Sequence, residues 1–385
     1  MALIGRLIGS LLKRGQITLV MPDGKRATYG PGGGKSLTIS VADRRVPFEL
    51  MRNPRLAIGE SYMDGRLVIE DGTILDLLEL VVSNNRWEEG GNSRKAIKKG
   101  KRRFKWLWSR NRAAKSKRNV AHHYDLKDEL YELFLDDDRQ YSCAYFTDPA
   151  NSLEQAQTDK KAHIAAKLYL KPGQRVLDIG CGWGSFAIHA AARHGVKVVG
   201  ITLSPPQVER GQRRADELGL GDQVDLRVAD YRDLTDEPFD AVASIGMVEH
   251  VGANQIDVYA RQVARLVKPG GRILNHGIAR LRTTDPEAGA FSERYVFPDA
   301  APLHLSRIQL ALERAGIETE HVEGFRMDYA ETLKHWARNL DEHHEQALRL
   351  AGPERLRVWR LYLRAARRGF ESGFTSIYQV RGRRS

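Results

Sequence analysis

The feature that most constrains the fold is a regular alternation of strand-like and helix-like segments that begins near residue 160. Five apolar segments of strand length follow one another: QRVLDIG, VKVVGITL, VDLRVAD, FDAVASIG and GRILNHGIA. Two segments with helical periodicity separate the first three, CGWGSFAIHAAARHG and SPPQVERGQRRADELG. Alternation of this kind is typical of a parallel sheet, because each crossover helix returns the chain to the end of the sheet where the previous strand began, and the next strand then runs in the same direction. We therefore predict an α/β fold whose mostly parallel sheet carries helices on both faces.

The turn after the first of these strands predicts a ligand site. In VLDIGCGWGSF, Gly180, Gly182 and Gly184 stand where a strand passes into a helix. Glycine lets the backbone turn sharply and approach a ligand closely, and ligands of open parallel sheets bind at the carboxyl ends of the strands. Dinucleotide-binding folds use a similar loop, but its spacing is one residue longer and an acid follows about 20 residues on. The second strand here ends in GITLSPPQ, which has no acid.

This combination fits the glycine-rich loop of S-adenosylmethionine (AdoMet) methyltransferases, whose domain is Rossmann-like. In those enzymes the acid of the first strand, here Asp178, lies beside the amino-acid end of the cofactor. VADYRDL, at the end of the third strand, has the usual position and composition of the adenine contact.

The N-terminal region has a different pattern. Short alternating runs, QITLVM, RATYG and SLTISV, predict strands of a small mixed α/β domain. Before them, apolar residues follow the spacing of one helical face, which is typical of a helix packed on its own domain or of a membrane-surface helix. These residues are Leu3, Ile4, Leu7, Ile8, Leu11 and Leu12. We divide the chain into a small N-terminal domain (1–90), a basic linker (91–118) and a catalytic domain (119–385).

The linker contains most of the charge imbalance. Residues 94–118 hold thirteen Lys or Arg and no acid, whereas the rest of the chain has 48 basic and 49 acidic residues. Such a stretch predicts an anionic partner. Its interleaved Phe104, Trp106 and Trp108 favour a membrane interface, where polybasic segments bind anionic headgroups. Lys/Arg clusters also bind nucleic acid, so composition alone leaves both partners open.

The cellular location is predicted from what the sequence lacks. No apolar run approaches the roughly 20 residues that span a bilayer. Arg6 interrupts the apolar N-terminus, and no cleavage site of a signal peptide follows it. The two cysteines, Cys143 and Cys181, cannot form a disulfide framework. We expect a cytoplasmic protein.

Several motifs occur in order along nearly the whole chain. They are GESYMDG (59–65), HYDL (123–126), YSCAYF (141–146), LDIGCGWG (177–184), GITLSPPQ (200–207), GMVEHVG (246–252), NHGIAR (275–280), DYAETLKHW (328–336) and the closing WRLYLRAARRGFESGFTSIYQV. Together they resemble the cyclopropane-fatty-acyl-phospholipid synthases and the related mycolic acid cyclopropane synthases. The resemblance implies an AdoMet-dependent methyltransferase domain behind a small N-terminal domain that helps to hold lipid, and it suggests a homodimer.

The resemblance also implies the residues of the site. Cofactor contacts would come from Tyr141, Ser142, Asp178, Gly180, Gly182, Gly184, Thr202, Leu203, Gln207, Tyr231 and Arg232. Members of the family also hold a bicarbonate ion, and no metal is implied. The ligands of that ion would be Cys143, Glu249, His276, the backbone of Ile278, and Tyr329.

The implied reaction transfers a methylene unit from AdoMet to the cis double bond of an unsaturated phospholipid acyl chain. Attack by the alkene on the sulfonium methyl group gives a carbocation, and loss of a proton from that methyl closes a three-membered ring. The cation needs exclusion of water, nearby aromatic faces and a weak base, which is the role of bicarbonate. Cys143 would then line an anion site, because the reaction has no covalent-enzyme step that uses a thiolate.

Two departures from the family pattern concern the product. FPDAAPLHLS (297–306) replaces a Gly-Gly-Glu-type run, and Gly277 stands where Thr is common. The same methyl transfer could therefore end in a methylene- or methyl-branched chain. A small-molecule N-methyltransferase is a further alternative, against which the bicarbonate ligands and the N-terminal domain argue.

A nucleic-acid-binding protein is the alternative of a different class, but no base-reading motif accompanies the basic stretch. We expect an enzyme bound peripherally to the inner face of the cell membrane, where it acts on unsaturated phospholipids without a nucleic-acid partner.

Overall fold

The structure, a computed structural model, describes residues 12–84, 128–282, 290–297, 300 and 302–385. The described residues form two compact units. The first contains residues 12–84, 290–297 and 340–372, and the second contains residues 128–282, 300, 302–339 and 373–385. The basic stretch, the motif HYDL and the boundaries expected at 90 and 118 lie outside the described residues.

The strands and helices are numbered along the chain. The strands are β1 (Gly15–Val20), β2 (Arg26–Gly32), β3 (Ser36–Val41), β4 (Leu67–Asp71), β5 (Arg175–Ile179), β6 (Lys197–Thr202), β7 (Val224–Val228), β8 (Phe239–Ile245), β9 (Val267–Arg280), β10 (Ile317–Gly324) and β11 (Thr375–Arg384). The helices are α1 (Val46–Arg52), α2 (Pro54–Met63), α3 (Ile74–Asn84), α4 (Asp128–Glu132), α5 (Leu153–Leu168), α6 (Ser185–His194), α7 (Pro205–Glu217), α8 (Ile256–Leu266), α9 (Ala290–Tyr295), α10 (Leu305–Arg314), α11 (Arg326–Glu342) and α12 (His344–Glu371). A 3₁₀ turn covers Val248–His250.

The first unit contains the small mixed sheet that its alternating segments predict. The strand order is β2-β1-β3-β4, in which β1 pairs antiparallel with β2 and parallel with β3. Leu37 and Ile39 of β3 lie in a core that also contains Leu361 of α12. Leu12 is the one member of the N-terminal apolar stripe within the described residues, and it is buried in this same core.

The second unit is built on a seven-stranded sheet with the order β10-β11-β9-β8-β5-β6-β7. The five strands that the sequence predicts, β5 to β9, pair in parallel. β11 pairs antiparallel with both β9 and β10. The prediction of an α/β fold with a mostly parallel sheet is therefore confirmed.

Helices cover both faces of this sheet. In β5, Leu177 belongs to a core that includes Tyr259 of α8, whereas its neighbour Val176 belongs to a second core that includes Phe186 of α6. Strands buried on both faces read as continuous apolar runs, as VVGI of β6 does. The proline at the start of α7 suits the first helical turn, where an N–H has no intrahelical partner. Within the described part of the chain, no helix is both long and apolar enough to cross a membrane.

Candidate active site

The glycine loop turns from β5 into α6 at the carboxyl end of the strand. Gly180, Gly182 and Gly184 have φ values of +80°, +55° and +77°, in the left-handed region that glycine adopts without steric cost. The N–H groups of Gly180 and Cys181 both donate to the carbonyl of Ile201 on β6, at 2.9 and 3.0 Å, and fix the turn. A Cβ added at Gly182 would meet no described atom within 4 Å, so the loop borders open space.

Asp178 lies beside this loop and is 1% exposed. Burial raises the pKa of its carboxyl to about 7, against the opposite effect of the nearby Lys160. Its Oδ1 has no hydrogen-bond partner among the described residues. A buried polar atom without a partner is costly, so Oδ1 is suited to a cationic or hydrogen-bonding ligand.

The end of β6 provides a second buried polar group. The hydroxyl of Thr202 donates to Oε1 of Gln207 at 2.8 Å. The other amide atom of Gln207, Nε2, is buried and has no acceptor in the part of the chain that the structure describes. Leu203 follows β6 directly and is half-buried. The segment 202–207 thus offers one buried hydrogen-bond donor, Nε2 of Gln207.

The residues after β7 form a compact group. Arg232 donates from Nε to Oδ1 of Asp230 at 2.9 Å, and its guanidinium lies 5.7 Å from the centroid of the Tyr231 ring. Tyr231 packs edge-on against Tyr259, with centroids 5.6 Å apart. The Arg232 side chain is therefore engaged by Asp230, and a cofactor contact of Tyr231 and Arg232 stays a prediction.

The segment YSCAYF packs against α11. The N–H of Ala144 donates to Oγ1 of Thr332 and the N–H of Phe146 donates to Oδ1 of Asp328, each at 3.0 Å. The Tyr141 ring lies 5.1 Å from the ring of Trp336, centroid to centroid. The motifs YSCAYF and DYAETLKHW, which are far apart in the sequence, are thus packed and hydrogen-bonded to each other.

Lys160 contacts Ser142, a predicted cofactor residue, and no sequence pattern indicates this contact. It is 2% exposed, and its Nζ donates to Oγ of Ser142 at 2.8 Å. Burial lowers the pKa of Lys160 to about 8, although Asp136 and Asp178 act in the opposite direction. An ammonium only donates, so the Ser142 oxygen accepts and its own O–H is left to donate elsewhere. The sequence carries no signal that separates Lys160 from Lys161, which pairs with Asp138 instead.

Cys143 is completely buried in this segment. Its Sγ lies 3.1 Å from the carbonyl oxygen of Ala144 and 3.8 Å from that of Phe325. Burial raises the pKa of the thiol well above its ordinary value, and the charge of Asp328 raises it further. A thiol held neutral is a poor nucleophile, which agrees with its assignment as a wall of the site.

Glu249 lies on the 3₁₀ turn after β8. Burial raises the pKa of its carboxyl to about 7, although the backbone N–H groups of Glu249 and Ile278 donate to it. Its Oε2 has no partner within the described ranges. A Cβ at Gly277 would lie 2.3 Å from Cγ1 of Val248 and 3.1 Å from Oε2 of Glu249, so the glycine lets β9 approach the turn closely. The departure from the family pattern at Gly277 therefore lies directly against Glu249.

His276 lies on β9, where it pairs with Ile245 at the end of β8. It is 1% exposed, and burial lowers the pKa of the imidazole well below its ordinary value. Its Nδ1 is 3.1 Å from Nε2 of Gln379, whereas its own Nε2 has no partner that the structure describes. The ring of Phe325 stacks on the imidazole, with ring centroids 6.2 Å apart. The carbonyl of Phe325 accepts a hydrogen bond from the N–H of Tyr329 at 3.1 Å.

The predicted residues lie at the carboxyl ends of β5, β6, β7 and β8, on β9 and α11, and in the segment YSCAYF that is hydrogen-bonded to α11. Asp178 Oδ1, Gln207 Nε2 and the open space at Gly182 suit a ligand that both donates and accepts hydrogen bonds, as AdoMet does. Oε2 of Glu249 and Nε2 of His276 are two further buried polar atoms without a partner among the described residues. Bicarbonate, with one O–H and several acceptor oxygens, has the donor and the acceptors that such atoms require.

Comparison with known proteins gives consistent matches. Residues 111–380 match the sequence profile of the family described as mycolic acid cyclopropane synthetase, and residues 10–88 match a domain of unknown function. A "Probable fatty acid methyltransferase" from Pseudomonas putida is 37% identical over 374 residues, which are 94% of this chain and 91% of the relative. The "Cyclopropane-fatty-acyl-phospholipid synthase" of Escherichia coli (strain K12) is 36% identical over 313 residues, 81% of this chain and 78% of that protein.

A solved structure agrees with these matches. The mycolic acid cyclopropane synthase CmaA1 complexed with SAH and CTAB has a TM-score of 0.66 to this chain at 30% identity, and the match covers 70% of this chain and 98% of that one. The family profile spans more than half of the chain and includes every residue of the predicted site. With its glycine loop and its mostly parallel sheet, the chain belongs to the mycolic acid cyclopropane synthetase family and is an AdoMet-dependent methyltransferase.

Proposed function

We propose that the chain transfers a methylene unit from AdoMet to the cis double bond of unsaturated phospholipid acyl chains and so makes cyclopropane fatty acids. The observation that carries this proposal is the pair of Glu249 and His276. Both side chains are buried, and Oε2 of the one and Nε2 of the other have no hydrogen-bond partner among the described residues. Unsatisfied buried polar atoms are costly, so a small polar ligand that bonds both would stabilise the site.

Bicarbonate, when bound, supplies a weak base beside the transferred methyl group. The ionised carboxylate of Glu249 accepts a hydrogen bond from the O–H of such an ion, and the N–H of Ile278 helps to hold that carboxylate. His276 donates from Nε2 to an oxygen. The neutral thiol of Cys143 and the phenol of Tyr329 complete the polar wall. Since the pKa of Glu249 is about 7, the carboxylate is available at and above neutral pH.

AdoMet supplies the electrophilic methyl group. In this proposal Asp178 accepts hydrogen bonds from the ammonium group of the cofactor, and Ser142 and Gln207 donate hydrogen bonds to acceptor oxygens or nitrogens elsewhere on the cofactor. The backbone of Gly180–Gly184 approaches the cofactor where Gly182 borders open space. The hydroxyl of Thr202 donates to Oε1 of Gln207 at 2.8 Å and so orients its amide. The ring of Tyr231 lies at the adenine end of the cofactor.

A group of aromatic rings supports chemistry through a cation. Tyr131 lies 5.5 Å from Tyr141 and 5.8 Å from Trp183, centroid to centroid. Tyr141 in turn lies 5.1 Å from Trp336. Packed rings exclude water, and their faces stabilise a desolvated cation by up to about 2 kcal/mol.

The location of the enzyme belongs to the same proposal. It works in the cytoplasm as a homodimer bound to the inner face of the cell membrane. The thirteen Lys and Arg of residues 94–118, with Trp106 and Trp108 among them, bind the anionic headgroups.

Mass spectrometry of total fatty acids from cells that express the chain tests the proposed reaction. The expected product has the mass of a monounsaturated chain plus one CH₂ group, and it takes up no hydrogen under mild catalytic hydrogenation, because a cyclopropane lacks an alkene. Cells that express Glu249→Gln are the matched control and should contain little of it. An unchanged fatty-acid profile in cells with abundant folded protein would overturn the proposal.

A methylene- or methyl-branched product is the second candidate. It is favoured by the Pseudomonas putida relative, which matches 94% of this chain and is named a fatty acid methyltransferase without reference to a ring. The same experiment separates the outcomes. A methylene-branched chain, formed when the cation loses a different proton, takes up one molecule of hydrogen. A methyl-branched chain requires a later reduction by a separate hydride donor, and it is already heavier by CH₂ and two further hydrogens.

A further inference from the structure

His276 and Gln379 form a direct cross-strand pair on β9 and β11. Directly paired residues extend their side chains on the same face of a sheet. Both side chains are 1% exposed, and Nε2 of Gln379 lies 3.1 Å from Nδ1 of His276. A neutral imidazole has one nitrogen that donates and one that accepts, and the partner of one nitrogen determines the state of the other. The function of His276 therefore depends on which end of the Gln379 amide faces it.

Lys167 settles the orientation of that amide. Its Nζ lies 2.6 Å from Oε1 of Gln379. An ammonium group donates hydrogen bonds and accepts none, so the oxygen of the amide faces Lys167 and the NH₂ group faces His276. Burial lowers the pKa of Lys167, and Glu323, which pairs with the lysine, acts in the opposite direction and favours the ammonium form.

The ring of Phe325 contacts both His276 and Lys167. Its ring stacks on the imidazole of His276 at an interplanar angle of 27°. Nζ of Lys167 lies 5.1 Å from the centroid of the same ring, within the range of a cation–π contact. The ring of His276 and the ammonium group of Lys167 are thus fixed against a common surface, and Gln379 connects them.

We propose that Lys167 and Gln379 are positioning residues that hold His276 as the Nε2–H tautomer, so that the imidazole donates a hydrogen bond into the active site. This inference rests on the proposed function, in which His276 donates to bicarbonate. The order of donors is Lys167 to Gln379, Gln379 to Nδ1 of His276, and Nε2–H of His276 to the ligand. The opposite tautomer would present a lone pair to an anion already held beside the Glu249 carboxylate.

The tautomer can be measured without any turnover. Nitrogen NMR of protein with ¹⁵N-labelled histidine distinguishes a protonated ring nitrogen from an unprotonated one, and His276→Gln identifies the signals of His276 by their loss. In the wild-type protein at neutral pH we expect Nε2 protonated and Nδ1 unprotonated. A wild-type protein with Nδ1 protonated, or with an even mixture of the two, would overturn the proposal even if cyclopropane products were found.

Gln379→Glu is the decisive variant, because a carboxylate still accepts from Lys167 but cannot donate to Nδ1. We expect His276 to move its proton to Nδ1, or to become protonated on both nitrogens. Turnover should fall by about 10²-fold or more, the lower end of what a positioned proton-transfer group contributes. Calorimetric AdoMet affinity should stay within a factor of about 3, since Gln379 is not among the proposed cofactor contacts.

Gln212→Glu is the matched control. Gln212 is half-buried in the same unit, donates from Nε2 to the carbonyl of Val224 at 3.0 Å and accepts from the N–H of Leu226 at 3.0 Å. Gln212→Glu replaces the same amide by a carboxylate at a residue that does not contact His276, so the tautomer of His276 and the turnover should stay as in the wild type. If both variants lost turnover equally and the His276 signals did not change, Gln379 would have a structural role only.

Lys167→Met provides a second variant if Gln379→Glu does not fold. Without the ammonium group either end of the Gln379 amide can face His276, so a mixture of tautomers and an intermediate turnover are expected. A pure Nε2–H tautomer in Lys167→Met would exclude the role of Lys167. The tautomer results test the positioning role, and the fatty-acid profile separately tests the proposed reaction.

Discussion

The backbone N–H of Ala144 donates a hydrogen bond to Oγ1 of Thr332 at 3.0 Å, between residues 188 positions apart. This bond holds the segment YSCAYF on helix α11, where Sγ of Cys143 lies 3.8 Å from the carbonyl of Phe325. The thiol is thus enclosed between two hydrogen-bonded segments, which explains why its pKa is raised. Cys143 can line the site, but it cannot easily become the thiolate that nucleophilic catalysis requires.

Cys143→Ser should therefore be a mild substitution. A hydroxyl can donate to the same carbonyl groups and can line an anion site, so we expect turnover to fall by no more than about tenfold, the value of roughly one hydrogen bond. Removal of a catalytic nucleophile costs several orders of magnitude more. Single-turnover kinetics with AdoMet and unsaturated phospholipid vesicles measure the effect. An inactive Cys143→Ser protein that still binds AdoMet would contradict the assignment.

Gly182→Val should weaken AdoMet binding strongly and leave the protein folded. An added side chain meets no described atom within 4 Å and therefore enters the space left for the ligand. Affinity should fall by about 10- to 100-fold, which corresponds to the 1–3 kcal/mol that overpacking typically costs. Isothermal calorimetry measures this change.

Gly219→Val is the control for backbone strain. Gly219 has φ +71° and also has open space around it, but it lies in the turn after α7. Both variants should lose similar thermal stability, because both place a β-branched residue at positive φ, where strain costs about 1–3 kcal/mol. Only Gly182→Val should lose AdoMet binding, and equal affinities in the two variants would show that the loop is the wrong one.

The central strands could be predicted from the sequence because each is an apolar run with a turn signal at its end. β10 and β11 could not. Their polar residues, such as Gln379 and Glu323, are explained only by partners far along the chain, and the pair of Gln379 with His276 spans 103 residues. The first unit likewise contains residues 290–297 and 340–372, which no local pattern connects to the N-terminal strands.

The site could be predicted where chemistry depends on backbone position, as in the glycine loop and the strand ends. It could not be predicted where the residue is common and its burial decides its role. Lys160 lies next to another lysine in an ordinary helical segment, and only the packing of α5 brings its Nζ to Oγ of Ser142. Buried polar side chains of this kind need the tertiary structure to identify them.

AdoMet affinity should depend on pH through Asp178, whose pKa is raised to about 7 by burial. Below that pH the carboxyl of the free enzyme keeps its proton, and binding of a cationic group must release it. Affinity should therefore increase as pH rises towards about 7 and then level off. Calorimetry from about pH 5.5 to 7.5 stays below the pKa of Lys160, which is about 8.

Two variants separate Asp178 from the other buried acid. Asp178→Asn should bind AdoMet weakly at every pH, without the increase. Glu249→Gln should retain the increase, because Glu249 is assigned to the smaller ligand. A wild-type affinity that does not change over this range would show that Asp178 does not bind the charged end of AdoMet.

Residues 94–118 should bind anionic membranes electrostatically. Their thirteen cations predict cosedimentation with vesicles that contain anionic lipid and weaker binding in salt, because the screening length falls from about 10 Å at 0.1 M to about 3 Å at 1 M. Replacement of these Lys and Arg by Gln should remove the binding, whereas Trp106→Ala with Trp108→Ala should keep its salt dependence. Equal sedimentation with neutral and anionic vesicles would refute the electrostatic part.

Glu249→Gln should impair the late proton transfer and leave cofactor binding nearly intact. The amide can still accept one hydrogen bond, but it cannot provide the charge that orients a bicarbonate base. Turnover should fall by about 10²- to 10⁴-fold, the usual contribution of a positioned base. In carbonate-depleted buffer, added bicarbonate should raise the activity of the wild type and do much less for the variant.

The pH dependence gives this prediction a second measurement. Burial raises the pKa of Glu249 to about 7, so its ionised fraction should rise through neutral pH. With AdoMet saturating, kcat of the wild type should rise with it, and the variant should lack that rise. Glu320→Gln is the matched control, since Glu320 pairs with Arg272 and Arg381 and lies outside the assigned site. It should keep wild-type turnover and the response to bicarbonate. Near-full turnover in Glu249→Gln, combined with an inactive Cys143→Ser, would reverse the assignment and make Cys143 the reactive residue.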